Sequence, residues 1–127
     1  MIVDASALVA IVLREPGWEG LVDKLSAGPA GAGAPTLAEA GVALAAKLGP
    51  RGRSLLSRLV QEARIAVVPF TDEHWPAAIA AYAKFGKGRH PAALNFGDCL
   101  TYAVASLASQ PLLYVGSDFA RTDLPRA

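Results

Sequence analysis

The sequence reads as an α/β protein whose central parallel sheet is covered by helices on both faces, and three observations lead there. Short apolar segments alternate along the chain with longer stretches of helical periodicity, the pattern of strands joined by crossover helices. The strand-like segments are apolar, MIV at the start, AVV in the middle and LLYV near the end, as strands buried on both faces are. A length of 127 residues with 53% hydrophobic residues is enough for one substantial core and short for two, so a single domain over residues 1–127 is expected.

Met1 to Asp4 forms the first short strand, and Ser6 to Leu13 turns helical until Glu15, Pro16 and Gly17 interrupt it. A short helix resumes from Trp18 to Leu25. GPAGAGAP, Gly28 to Pro35, is a loop with room for a small strand. Thr36 is an expected N-cap, with Glu39 at capping-box spacing, for a helix that stops at Gly49 and Pro50. Ser54 to Ala63 is an amphipathic helix with Leu55, Leu56, Leu59 and Val60 on one face. Ala66 to Phe70 reads as a buried strand, and Thr71 or Asp72 is the expected cap of a helix through Phe85. KFGKGRHPAALN is a basic loop rich in glycine and proline. Asn95 then caps a last helix, FGDCLTYAVASLA, and Leu112 to Val115 is the final strand.

The charge balance excludes a tail or domain that works by bulk electrostatics: 18% charged residues and a net charge of +1 describe a compact soluble protein. The single cysteine, Cys99, excludes an internal disulfide framework and a Cys-rich zinc site, which fits a reducing cytoplasm, and it is expected in the core behind Asp98. The opening apolar run lacks the basic start of a signal peptide and ends at Arg14, short of a membrane span, so no membrane partner is expected. His74 and His90 are expected at the surface.

Asp4 is anomalous in its setting, because a carboxylate in an apolar strand is costly unless paired, hydrogen-bonded or bound to a cation. Ligands of open α/β sheets bind outside the carboxyl ends of the strands. Asp4 is at the end of the first strand, Asp118 lies just past the last one in GSDF, Glu39 is in the first turn after the second, and Asp98 is in the first turn after Asn95. These four carboxylates can converge on one edge. A cluster of carboxylates without histidine or cysteine is an all-oxygen donor set, suited to Mg²⁺ or Mn²⁺. A cation there would orient a phosphodiester and activate water. Singly, each has a plainer reading: Glu39 in a capping box, Asp98 as a first-turn charge, Asp118 as a turn residue. Ser6 and Asn95 are caps first and supporting residues second.

Other early-aspartate chemistries fit less well. A phosphatase of the haloacid dehalogenase type needs a second acid where Ser6 stands. A receiver domain needs an early acidic pair and a lysine after a late strand. GPAGAGAP lacks the third glycine of a dinucleotide loop and the Lys-Ser/Thr of a P-loop. A binding module that holds nucleic acid without cutting it stays open.

MIVDASAL, APTLAEAGVAL, HPAALNFGDCLTYAVA and PLLYVGSDFARTDL, in this order and spacing, resemble the PIN-domain ribonucleases, and most closely the VapC toxins of type II toxin–antitoxin pairs. The resemblance covers nearly the whole chain. It implies an α/β/α sandwich of PIN-like (Rossmann-like) fold and an acidic pocket that holds Mg²⁺ or Mn²⁺ and cleaves RNA, with Asp4, Glu39, Asp98 and Asp118 as metal ligands and Ser6 beside the first. Many members carry a further acidic residue or asparagine in the final turn, where this chain has Gly116 and Ser117. The resemblance also implies a homodimer and a hetero-oligomer with a VapB-like antitoxin. An acidic pocket needs cations at its rim to hold RNA, and Lys84, Lys87, Arg89 and His90, with Arg121 after Asp118, are the candidates.

Overall fold

The computed structural model describes residues 1–127 throughout. In chain order the elements are β1 (Ile2–Val3), α1 (Ala5–Leu13), α2 (Trp18–Ser26), β2 (Gly31–Gly33), α3 (Ala34–Leu48), α4 (Pro50–Glu62), β3 (Ala66–Val68), α5 (His74–Phe85), α6 (Phe96–Ala108) and β4 (Leu112–Leu113), followed by a 3₁₀ turn at Phe119–Arg121. The strands form one parallel sheet in the order β3-β2-β1-β4.

Alternation along the strands divides the core into two layers. Ile2 and Leu112 face Phe85, Leu94, Ala103 and Val104 of the α5–α6 side. Val3, Ala32 and Leu113 face Leu8, Ile11, Ala40, Leu44 and Leu56 of α1, α3 and α4. β1 and β4 are therefore apolar at consecutive positions because each position feeds a different core. The result is an α/β/α sandwich.

The connectivity selects one place on this sheet. From β1 the chain steps to β2 and then β3, and afterwards crosses to lay β4 against the other side of β1, pairing Val3 with Leu113. The strand order reverses at β1, so the crevice between the carboxyl ends of β1 and β4 is the switch point where doubly wound sheets bind ligands.

Several local expectations are corrected. Helix α3 begins at Ala34, with Gly33 as its cap and Pro35 in the first turn, where a fixed φ and a missing N–H are tolerated. Thr36 is thus inside the helix and buried, its Oγ1 2.9 Å from Thr101 Oγ1, and no Thr36–Glu39 capping box forms. β3 is the sheet's edge, with Ala66 and Val67 exposed, because its valines signal a preference for pleated backbone rather than burial. Helix α5 begins after Glu73 instead of Thr71 or Asp72. Thr71 N–H donates to His74 Nδ1 at 3.0 Å, and His74, stacked on Phe70, is buried. Cys99 is in the core as expected.

Candidate active site

Asp4 follows β1 directly and is only 5% exposed. Its backbone N–H donates to Leu113 O at 2.9 Å, holding the residue in the sheet. Its side chain caps α1: Oδ2 accepts from Ser6 N at 3.1 Å and from Ser6 Oγ at 2.6 Å. Such charge-assisted bonds offset the loss of water. Ser6 Oγ in turn accepts from Val115 N at 3.0 Å, so one hydroxyl ties Asp4 to the segment that leads from β4 to Asp118. No buried side-chain oxygen is left without a partner, so Asp4 Oδ1, which accepts no protein hydrogen bond, opens to solvent.

Asp98 is placed by a reciprocal cap at the start of α6. Asn95 Oδ1 accepts from Asp98 N at 2.9 Å, and Asp98 Oδ2 accepts from Asn95 N at 3.0 Å. Asn95 is therefore the cap that its position in the sequence suggested. Burial first, and then the charges of Asp4 and Asp118, push the Asp98 carboxyl up to about 6 against the lowering pull of the Asn95 N–H.

Glu39 comes from α3, where α6 passes close by. A side chain on Gly97 would fall on the Glu39 carboxylate, so only the absent Cβ lets Glu39 lie along the first turn of α6. That shielding raises the Glu39 carboxyl above its ordinary value, and Asp4 and Asp98 raise it further. Asp118 stands exposed at the head of the 3₁₀ turn, after Gly116, whose φ of 96° makes the turn out of β4.

All four carboxylates therefore belong to one neighbourhood: Asp4 acts on Glu39 and Asp98, Glu39 feels Asp98, and Asp98 feels Asp118. Like charges so placed disfavour ionisation unless a cation offsets them. As a donor set the group is all oxygen and fits a hard divalent ion, and Asp4 and Asp98 each keep one carboxylate oxygen free of protein hydrogen bonds. No three or more His, Cys, Asp and Glu side chains are closed into an ion-holding group, so the fit lies in chemistry and proximity rather than in a finished cage.

The expected basic rim divides. Lys87 and Arg89 are exposed in the loop between α5 and α6, Arg89 lying 5.5 Å over the Tyr82 ring. Arg121 donates to Pro91 O at 3.3 Å, pinning the turn after Asp118 to that same loop. Lys84 points elsewhere, over Phe85 and 4.0 Å from Asp123. His90 turns its Nδ1 inward to accept from Ala92 N at 3.0 Å.

Sequence reasoning passed over Gly97, Thr101 and Phe96. Helical spacing puts Phe96 on the side of Cys99 and Ala103, yet the residue is 77% exposed at the first position of α6.

With this geometry in place, comparison with known proteins is specific. The PIN domain model matches residues 1–124. Ribonuclease VapC36 of Mycobacterium tuberculosis is 50% identical over 126 residues, covering 98% of this chain and 91% of the relative. Ribonuclease VapC of Mycolicibacterium smegmatis is 37% identical over 125 residues, covering 98% and 97%. Among solved structures, Mycobacterium tuberculosis VapC20, described as a sarcin-ricin loop cleaving toxin, superposes with a TM-score of 0.81 at 15% identity over 99% of this chain and 97% of that one. A toxin–antitoxin complex from Klebsiella pneumoniae superposes with a TM-score of 0.71 at 18% identity over 96% and 92%. The chain belongs to the PIN-domain family, and within it to the VapC ribonucleases.

Proposed function

We propose that this chain is a divalent-metal-dependent endoribonuclease, the toxin of a type II toxin–antitoxin pair, formed by one PIN domain spanning its length. The observation that carries the reading is the neighbourhood of Asp4, Glu39, Asp98 and Asp118 at the sheet's switch point, in a chain 50% identical to a named ribonuclease.

The four carboxylates would hold Mg²⁺ or Mn²⁺, with the exposed Asp118 acting directly or through water. When bound, the cation supplies a polarised phosphodiester and a water of lowered pKa. The chain's own residues do the rest. β1 and the Ser6 hydroxyl fix Asp4, the Asn95 cap fixes Asp98, and the missing Cβ of Gly97 admits Glu39. Lys87 and Arg89 attract the phosphate backbone, while Arg121 holds their loop beside Asp118. Lys84, engaged with Asp123, is the weaker candidate for an RNA contact.

The toxin would be restrained in the cytoplasm by a VapB-like antitoxin in a hetero-oligomer and would act as a homodimer. The solved toxin–antitoxin complex of matching fold supports an antitoxin as the partner. No helix is long and apolar enough to cross a membrane.

The test is direct. Antitoxin-free protein is incubated with total RNA and Mg²⁺ or Mn²⁺, and discrete products are expected that chelation and Asp98→Asn both abolish. Absence of products, or products that survive both treatments, overturns the reading.

A further inference from the structure

Two of the carboxylates stand on neighbouring helices, Glu39 on α3 and Asp98 on α6, and three contacts mark the seam between those helices. At one end the Glu39 carboxylate fills the space that a Cβ on Gly97 would need. In the middle Thr36 Oγ1 and Thr101 Oγ1 lie 2.9 Å apart. At the other end Val104 stands so close to Gly33, the cap of α3, that a Cβ there would lie 3.0 Å from it. Positions 97, 101 and 104 rise along α6 while 39, 36 and 33 fall along α3. The helices therefore run antiparallel, with one rung per turn. The middle rung is the polar one: Thr36 and Thr101 are 3% and 1% exposed and are the only buried serine or threonine residues of the chain.

Packing alone does not call for hydroxyls at this rung, because valine has the shape of threonine and no polar atom to take out of water. The contacts at the two ends limit how closely the helices approach, but they do not oppose sliding. A hydrogen bond does, since it is directional and ends beyond about 3.5 Å, while a slip by one residue moves a helix about 1.5 Å along its axis. Fixing register is the best attested use of a buried polar pair. Thr36 is one turn from Glu39 and Thr101 one turn from Asp98, and Thr36, Glu39 and Gly97 line one pocket of about 220 Å³. We propose that Thr36 and Thr101 are positioning residues of the carboxylate site: their hydrogen bond sets the register of α3 against α6 and so holds Glu39 beside Asp98 for a shared divalent cation. The proposal rests on the divalent-metal reading and adds to it two residues that act only through Glu39 and Asp98.

Stability and metal affinity are read separately. The full-length protein and its variants are titrated with Mn²⁺ alone by calorimetry, unfolded in urea, and assayed on RNA over a range of Mn²⁺ concentrations. Thr101→Val should weaken Mn²⁺ binding by about tenfold or more, the usual cost of losing a group that orients a metal ligand. Thr36→Val combined with Thr101→Val leaves no hydroxyl unpaired and should regain stability, yet keep a defect in Mn²⁺ affinity of about tenfold. Thr101→Ser retains the hydroxyl and should bind Mn²⁺ nearly as wild type does. On RNA, the valine variants should need correspondingly more Mn²⁺ for half-maximal rate, with rates approaching wild type at saturation and the KM for RNA unchanged. Wild-type Mn²⁺ affinity in the double valine variant, or failure of Thr101→Ser to restore it, overturns the proposal, because a purely structural bond moves affinity only in step with stability. These two variants decide the matter even where Thr101→Val alone does not fold. Wild type that binds Mn²⁺ without cleaving RNA counts against the nuclease reading and leaves the role of the pair standing. Wild type that binds no Mn²⁺ overturns the metal reading and this role with it.

Discussion

Gly97 on α6 and Glu39 on α3 are packed so closely that the carboxylate of one occupies the space a Cβ on the other would need. Gly97→Ala should therefore displace Glu39 while leaving most of the fold in place. A misplacement of about 1 Å at a catalytic group costs on the order of a hundredfold in rate. Initial rates on RNA should fall by that order while the melting temperature drops only slightly, and full activity in the variant would remove Glu39 from the site.

The Ser6 hydroxyl serves two groups, donating to Asp4 and accepting from Val115 N. Ser6→Ala leaves a buried carboxylate short of one charge-assisted bond and should cost about 2 kcal/mol in urea unfolding, with Ser6→Thr recovering most of it. An alanine variant as stable as wild type would show that water replaces the hydroxyl at no cost.

Thr36 and Thr101 share a buried hydrogen bond across α3 and α6. Thr101→Val keeps the shape but leaves the Thr36 hydroxyl without its partner, for an expected loss of about 1–2 kcal/mol by denaturant titration. Changing both to valine should recover part of that loss, a coupling that a double-mutant cycle reads directly.

Asp98 makes stability depend on pH with a definite sign. Its carboxyl titrates near 6 in the fold against an ordinary value of 3.8, so the folded chain holds the proton more tightly than the unfolded one. The resulting destabilisation is complete above about pH 6 and vanishes as the pH falls to 3.8. Asp98→Asn, which keeps an oxygen for the Asn95 N–H, should be more stable than wild type by about 1 kcal/mol at neutral pH, a gap that closes on acidification. Thermal melts of the two proteins across this range measure it.

Millimolar Mg²⁺ or Mn²⁺ should offset the burial of the Asp98 charge and its repulsion by Asp4 and Asp118 and raise the wild-type melting temperature by several degrees at neutral pH, since a ligand that binds only the folded state stabilises it by mass action. Asp4→Asn and Asp98→Asn should respond less. A wild-type melt indifferent to both cations would refute a divalent site at these carboxylates.

Most of this architecture was legible in the sequence because it rests on short-range signals. The strand–helix alternation gave the sandwich, and Asn95 with Asp98 gave a cap that formed. Asp4 was conspicuous because an acid in a strand needs a reason. Features that depend on how layers meet were not legible. Thr36 looked like a cap until Pro35 started the helix earlier, and its hydroxyl found Thr101 across the interface. Nothing local in NFGDC says that Gly97 faces Glu39 or that Phe96 is left exposed, since both follow from how α6 packs against its neighbours. The four carboxylates could be nominated from their places after strands, but their mutual repulsion appears only once the strand order is known.

Strand β4 enters the sheet last and lies on the opposite side of β1 from β2. During synthesis, β1 is therefore an open edge until Leu112 and Leu113 emerge, and the Ser6 hydroxyl waits 109 residues for the Val115 N–H. A chain that stops before Leu112 lacks β4, Asp118 and the Val115 N–H that steadies Ser6. On the reading proposed above, a chain that stops before Asp118 would lack one of the four carboxylates.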